Sequence, residues 1–369
     1  MGNESLHIEE VTTLHEFLLL EERWNDLFRR DRDAHIYQSF GWHKAYWEAL
    51  GSEAQLSILI ATHNDRAVAI FPGMKVVAQA EGLSLNRVSL IGGDFSADYV
   101  SPIIDSQISE ELRQELLQLA LQQWSDSSLI EFFNLRKDSV LFTDLLNSER
   151  AFAVPLYSSW QCSLDKNDPE SLIRRKSLKK SVRRIKRKLD YSVAHFTDAN
   201  KITAQLDEFF ALHCKRWKKS DPCCQFNNPA QQELYHNFTK YLCPKKQILF
   251  STVRDQDTLV AAHFGFWFNN ILYFYKSAHD PDYEECSPGT ALLYESGVYA
   301  AENGGTLLDF TVGDEPYKQR YATSRIQMYR LRIPNRPWLA HYFRTLNAMR
   351  TAKQRLLSTN VLNSIFITS

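Results

Sequence analysis

The sequence predicts a mixed α/β chain in which one arrangement of helices and strands is built twice. Three observations carry this. The order helix, helix, antiparallel strands, helix, strand occurs in each half of the 369 residues. Short motifs recur at matching places: Arg23-Trp24 with Arg216-Trp217, Gln38-Ser39-Phe40 with Gln225-Phe226, Asp98-Tyr99 and Ser101-Pro102 with Asp282-Tyr283 and Ser287-Pro288. The composition, 44% hydrophobic and 12% aromatic, suffices for packed cores and excludes a disordered chain.

In the first half, HEFLLLEERWNDLF reads as an amphipathic helix, and IYQSFGWHKAYWEAL as a second helix. LSILIATHNDRAVAIFPGMKVVA reads as two strands about a turn at Asn64-Asp65. The loop GGDFSADYVSPIID leads to the helix SEELRQELLQLALQQW, striped by Leu112, Leu116, Leu119 and Ala120, and then to the buried strand LIEFFNL. The second half repeats this. LDEFFALHCKRWKK is a helix, and QFNNPAQQELYHNFTKYL is a loop and a helix. A three-strand meander turns at Asp255-Gln256-Asp257 and Asn269-Asn270. HDPDYEECSPG opens a helix that Gly304-Gly305 ends, and LLDFTVG is the last buried strand. These readings place one unit over residues 1–160 and a second over 161–335 with a basic helix at 172–190. A helical tail, Pro-marked at its start, covers 336–369.

Charge is balanced, with 43 Lys+Arg against 44 Asp+Glu, which argues against DNA binding or any broad nucleic-acid surface. The six cysteines form no CxxC pair and precede no matching histidine pair, so no metal site is expected. They read as reduced thiols of a cytoplasmic protein. MGNESLHIEE is polar and acidic, unlike a secretion signal. The longest apolar stretch is broken by Asn269-Asn270, which fits a hairpin better than a membrane span.

IRRKSLKKSVRRIKRKLDY, residues 173–191, concentrates the basic residues. Leu178, Val182, Ile185 and Leu189 step by four, three and four, so the segment is a helix docked by a narrow apolar stripe. The cations around it have several readings. One is a solvated face, another an RNA backbone contact, and a third a phosphorylated cofactor or acidic glycan precursor at a cleft. Peripheral contact with an anionic membrane is a further option.

The Arg-rich helix at 174–188, Arg216-Trp217, Ser287-Pro288-Gly289 and LLDFTVGDEPYKQRYA (307–322) together resemble the CelD-like acetyltransferase family. That family has the GNAT acyltransferase fold and is related to the Fem-type aminoacyl transferases. The resemblance implies two tandem GNAT-like domains, each a mostly antiparallel mixed sheet flanked by helices. It implies acyl transfer, as N-acetylation or a related reaction, from acetyl-CoA or another acyl-CoA. The acceptor it implies is an amine or hydroxyl of a small or envelope- and polysaccharide-related molecule. Two alternatives stand beside it: a Fem-type transferase using aminoacyl-tRNA, and an inactive scaffold subunit in polysaccharide biosynthesis. NLRKDS stands in the first half where VGDEPYK stands in the second, so the first half reads as a degenerate copy.

SPGTALLYE is a helix N-terminus after a strand, where free N–H groups and the helix dipole favour an anion. Ser287, Gly289 and Thr290, with Arg183 and Arg184 of the basic helix, are the candidates for holding the donor's pyrophosphate. The same segment is equally a plain capped helix. In GDEPYK, Tyr317 is the candidate acid for the leaving thiolate, by resemblance, with Tyr321 second. Lys318 is placed to hold a phosphate or polarise a carbonyl. Candidate bases are Glu295, Asp314, Glu315 and His263. Substrate contacts are assigned to Arg174, Arg216, Trp217, Tyr275 and Glu315. Trp217 is expected in the core, as is Trp24 at the parallel place. Asp309, inside a buried strand, either pairs with a cation across the cleft or points outward.

Overall fold

In the computed structural model, residues 6–93, 96–148, 150–169, 176–218 and 224–350 are described. The first half runs β1 (Leu6–Val11), α1 (Leu14–Leu19), α2 (Glu21–Arg30), α3 (Phe40–Leu50), β2 (Gln55–His63), β3 (Arg66–Ala80), β4 (Leu83–Leu90) and β5 (Ile103–Ile104). It continues through α4 (Glu110–Gln123), β6 (Leu129–Arg136), α5 (Val140–Leu146) and β7 (Phe152–Ser163). The second runs α6 (Lys176–Lys188), β8 (Tyr191–Phe196), α7 (Ala199–Trp217), α8 (Pro229–Leu242), β9 (Ile248–Asp255), β10 (Thr258–Phe268) and β11 (Ile271–His279). It ends in α9 (Pro288–Glu302), β12 (Leu307–Val312), α10 (Pro316–Tyr321), β13 (Ser324–Pro334) and a helix described over residues 337–350.

Local chemistry explains most of these boundaries. Ser39, Ser109, Ser139, Asp198 and Asn228 each cap a helix by accepting a backbone N–H from its first turn. Thr13 and Glu16 form a capping box on α1. That helix breaks from α2 at Leu20, so the single helix expected there is two. Asn64-Asp65 and Asn269-Asn270 both hold positive φ, as a two-residue hairpin turn requires. Leu178, Val182 and Ile185 are buried against α9 and the sheet, as the narrow stripe of α6 predicts.

Among the described residues twelve strands form one sheet in the order β1-β2-β3-β4-β6-β13-β7-β12-β11-β10-β9-β8, with β5 attached to β3. The order is the same read from either end, with the axis of the repeat between β13 and β7. In each half one pair is parallel, β4 with β6 and β11 with β12, and the other neighbours are antiparallel. The final strands are exchanged. β13, from the second half, completes the first sheet against β6, while β7 completes the second against β12. Periodicity marks a strand, as Leu331-Arg332-Ile333 does in β13, but not the strand it pairs with, so the exchange is a feature of the tertiary fold. The last helix follows its strand, seating Leu339 and Phe343 on Ala80, Leu85 and Leu129 of the first half. Among the described residues no helix is long and apolar enough to cross a membrane.

Matching positions on β6 and β12 carry buried carboxylates, Glu131 and Asp309. Each is met by a residue of the exchanged strand. Arg332 of β13 donates to Glu131 at 2.8 Å, and Gln161 of β7 donates to Asp309 at 2.8 Å. The exchange therefore supplies the partner that a buried carboxylate needs.

Candidate functional site

β11 and β12 pair only over Ile271–Tyr273 and Leu307–Asp309. Beyond that they part, with Thr311 at φ 62° and Gly313 at φ 133°. A Cβ on Gly313 would meet Glu315 and Lys318, so the turn into α10 needs glycine. The N-terminus of α9 lies beside this gap. Ser287 sits there in the left-handed region, φ 56°, and its hydroxyl does not cap the helix. Its carbonyl accepts the N–H groups of Thr290 (3.1 Å) and Ala291 (3.2 Å). The Ser287 and Thr290 hydroxyls have no hydrogen-bond partner among the described residues. Pro288 has no N–H to satisfy. The basic helix braces the preceding turn: Arg184 donates to the Glu285 carbonyl at 2.9 Å, and Lys188 pairs with its carboxylate at 3.2 Å.

A cavity of about 240 Å³ opens here, walled by Arg216, His279, Ser287, Gly289, Thr290 and Tyr317, with Phe274 and Leu293 as its apolar side. It brings together five residues expected from the sequence. Arg216, in the last turn of α7, donates to the Ser277 carbonyl at 2.9 Å and lies over the Trp217 ring. Burial lowers its pKa, with Tyr317 and Glu315 opposing. Burial, and next the Glu315 carboxylate, hold the Tyr317 phenol above its ordinary pKa, so it keeps its proton at neutral pH. His279 was missed. It ends β11, and burial, with Arg216 beside it, pushes its pKa down to about 4, leaving a neutral imidazole. A Cβ on Gly289 would stand 3.1 Å from its Nδ1. The signal for His279 was its place at the end of the strand that feeds the turn into α9.

Other expected residues lie elsewhere. The Lys318 ammonium is buried, donating to the Val312 carbonyl (2.6 Å) and pairing with Glu315 (3.1 Å). The Asp314 carboxylate accepts the Ser158 N–H at 3.2 Å. Glu295 accepts the Tyr191 phenol at 2.5 Å, with Lys186 at 3.8 Å, on the far side of α9. His263 is fully buried in β10, stacked on Phe274 at 4.0 Å, and burial pushes its pKa to about 3. Arg183 is exposed on α6. Tyr275 donates to the Ser96 carbonyl at 2.7 Å, joining the two halves. Arg174 falls outside the described residues.

Two expectations need correction. Trp217 is not core: it is 36% exposed, whereas Trp24 is fully buried and donates to the Gln38 carbonyl at 2.8 Å. Trp24 lies within its helix, but Trp217 is the last residue of α7, beyond the stripe of Ile202, Leu206, Phe209 and His213 that the helix buries. Nor are all the cysteines reduced thiols: Cys214 and Cys224 form a disulfide with Cα atoms 5.3 Å apart. The chain returns from α7 so that residues ten apart in sequence meet, a closure that spacing alone does not reveal. Cys162, Cys243 and Cys286 are buried.

A second group of buried charges lies where the halves meet. Tyr99 donates to the Asp309 carboxylate at 2.7 Å, and the Thr311 N–H adds a bond at 2.7 Å. Asp309 thus pairs with neutral donors rather than a cation, and burial raises its pKa. Beside it, Tyr37 donates to Asp98 at 3.1 Å. Burial lifts the Asp98 pKa to about 6, while Lys318, Lys276 and Tyr37 pull the other way. A carboxylate whose folded pKa is raised favours folding fully only below its unfolded value. That contribution is lost as pH rises through about 6. Asp98→Asn should therefore stabilise the protein by about 1–2 kcal/mol at pH 7.5 and by much less at pH 4. Melting curves of both proteins at the two pH values check this; an equal gain at both would contradict it.

Residues 174–319 match the family model described as an acetyltransferase (GNAT) domain. No protein of curated function matches the sequence. Among solved structures, FemX superposes with a TM-score of 0.60 at 10% identity, over 89% of this chain and 97% of its own. A conserved protein of unknown function from Bacteroides thetaiotaomicron VPI-5482 gives 0.55 at 14% identity, over 89% and 100%. The C-terminal domain of a putative lysylphosphatidylglycerol synthetase from Agrobacterium fabrum gives 0.54 at 10%, over 88% and 94%. At these identities the likeness is one of fold. The chain is a mixed α/β protein of two tandem GNAT-like units that share one sheet, with the acetyltransferase domain match lying in the second.

Proposed function

We propose that the second unit, residues 161–335 completed by β7, is an acyltransferase. It takes an acyl group from a coenzyme A thioester and passes it to an amine or hydroxyl. The acceptor is a small or envelope- and polysaccharide-related molecule, in keeping with the CelD-like resemblance. One observation carries the reading. The cavity at the start of α9 combines anion donors (the Gly289 N–H, the Ser287 and Thr290 hydroxyls and the Arg216 guanidinium) with a protonated phenol, Tyr317. The donor's phosphates lie against the α9 turn and its thioester points into the gap between β11 and β12. The acceptor attacks the carbonyl carbon, the new C–N or C–O bond forms, and the C–S bond breaks. The acceptor's proton passes to a base, for which the neutral His279 is best placed, and Tyr317 protonates the departing thiolate. Lys318, tied to Val312 and Glu315, holds the α10 turn that presents Tyr317.

Calorimetric titration with coenzyme A and acetyl-CoA tests this. Saturable binding is expected, weakened about 10–100-fold by Arg216→Ala, the equivalent of about 1.5–3 kcal/mol for a lost charged hydrogen bond. A second reading is favoured by the exposed cations Lys179, Lys180, Arg183 and Arg187 on α6. It has an aminoacyl-tRNA as donor. Silence with coenzyme A and a salt-sensitive tRNA gel shift would select it. Silence in both would leave a scaffold role.

A further inference from the structure

A cavity of about 560 Å³ lies in the first half, well within the range of small-molecule pockets, roughly 300–1,000 Å³. It sits at the carboxyl end of β6, between the loop 99–108 and the starts of α4 and α5, with Ile271 and Tyr273 of β11 closing one side. By the repeat, β6, α4 and α5 correspond to β12, α9 and α10, so this is the first unit's counterpart of the α9 cavity. The half with NLRKDS in place of VGDEPYK holds the roomier of these two pockets.

Its chemistry is different. Asn134 is 5% exposed, and its Nδ2 is committed to the Ala97 carbonyl at 2.9 Å. A carbonyl only accepts, so the amide orientation is settled and Oδ1 is left buried without a partner. His35 is 8% exposed. One ring nitrogen meets the Ser101 hydroxyl at 3.1 Å, and Nδ1 has no partner. Each such group costs about 1–3 kcal/mol while unmet. The Asp31 carboxylate accepts the Asp33 N–H (2.9 Å), the Ile104 N–H (3.2 Å) and the Gln38 amide (3.3 Å). It has no cationic partner among the described residues. The other interior charges are matched: Arg113 with Asp144, Arg136 with Asp138, and Asp105 with Arg30. Arg32 and Asp33 are exposed at the rim. The pocket therefore presents an unneutralised carboxylate and an unmet amide oxygen, with the Tyr99 and Tyr273 rings, 6.3 Å apart, in its wall.

We propose that this cavity is a second ligand site, for a small amine-bearing polyol of the amino-sugar class. Its ammonium pairs with Asp31, a ring donor meets Asn134 Oδ1, and its apolar face packs on the tyrosines. Tyr99 also donates to Asp309 of the second unit, so the occupant touches a residue bonded to the strand that borders the acyl-transfer cavity.

The test is calorimetry on the full chain with glucosamine, glucose as the uncharged control, and hydrogen exchange on the same mixtures. Glucosamine should bind saturably and glucose about tenfold or more weakly, with a like loss in Asp31→Asn. Protection should appear over residues 31–38 and 99–108. Val140→Trp, at an exposed position on the pocket wall, should block glucosamine and leave the coenzyme A titration unchanged; it serves also if Asp31→Asn does not fold. The proposal is overturned by no glucosamine binding, equal affinity for glucose, full affinity in Asp31→Asn, or protection confined to residues 279–290. Protection of 99–108 by coenzyme A would assign the pocket to the acyl donor instead and equally overturn it.

Discussion

Glu131→Ala should destabilise the protein by about 3–5 kcal/mol, the usual cost of removing one partner from a buried ion pair. Glu131 is 1% exposed and holds three guanidiniums: Arg332 at 2.8 Å, Arg87 at 3.2 Å and Arg330 at 3.8 Å. Arg332 also reaches Glu81 at 3.2 Å and lies over Phe343 of the last helix. Without Glu131 these cations face one another across an interior that water enters poorly. Arg332 comes from β13, so the loss falls on the seam where the second half's last strand is built into the first half's sheet. Denaturant unfolding checks the size. Replacing the pair together, Glu131→Leu with Arg332→Met, should recover part of the loss, because an apolar pair no longer strands a charge. A loss below about 1 kcal/mol would mean that the guanidiniums reach solvent and that this cluster does not anchor the exchanged strand.

Tyr317→Phe should cut turnover by about 10²–10⁴-fold, the ordinary span for losing a positioned general acid, with little change in melting temperature. The ring stays, and with it the edge contact to Phe310 at 6.4 Å; only the hydroxyl goes. The phenol's raised pKa makes it a poor resident anion and a competent proton source for a thiolate formed beside it. The loss should therefore depend on the leaving group. A thioester of a strongly acidic thiol departs without a proton, so the variant should lose far less with that donor than with acetyl-CoA. Donor affinity should stay near that of the parent, which separates acid catalysis from binding. Equal losses with both donors would remove Tyr317 as the acid and leave it a wall residue.

Much of this was legible in the chain itself. The repeat, the hairpin turns at Asn64-Asp65 and Asn269-Asn270, the narrow stripe of α6 and the helix start at Ser287-Pro288-Gly289 are all written in short stretches of sequence. Each depends on φ preferences, capping or periodicity within a few residues, and each stands as expected. Arg216 was singled out by its place at the end of α7 and Tyr317 by the resemblance, and both line one cavity. Asp309 could be recognised as a buried carboxylate, but its partners could not. Tyr99, Gln161 and Arg332 are separated from the carboxylates they serve by more than a hundred residues and belong to strands and loops of the opposite half. The exchange of β7 and β13 decides the Gln161 and Arg332 pairings, and with them the joining of the two halves. The basic helix shows the same limit. Its charge suggested a ligand surface, yet Arg184 and Lys188 are spent on Glu285, bracing the turn that ends at Ser287. Sequence determined the elements and their chemistry, because those are set by neighbours along the chain. Tertiary structure alone decided which charges meet, because a buried group's partner is chosen by the path of the sheet.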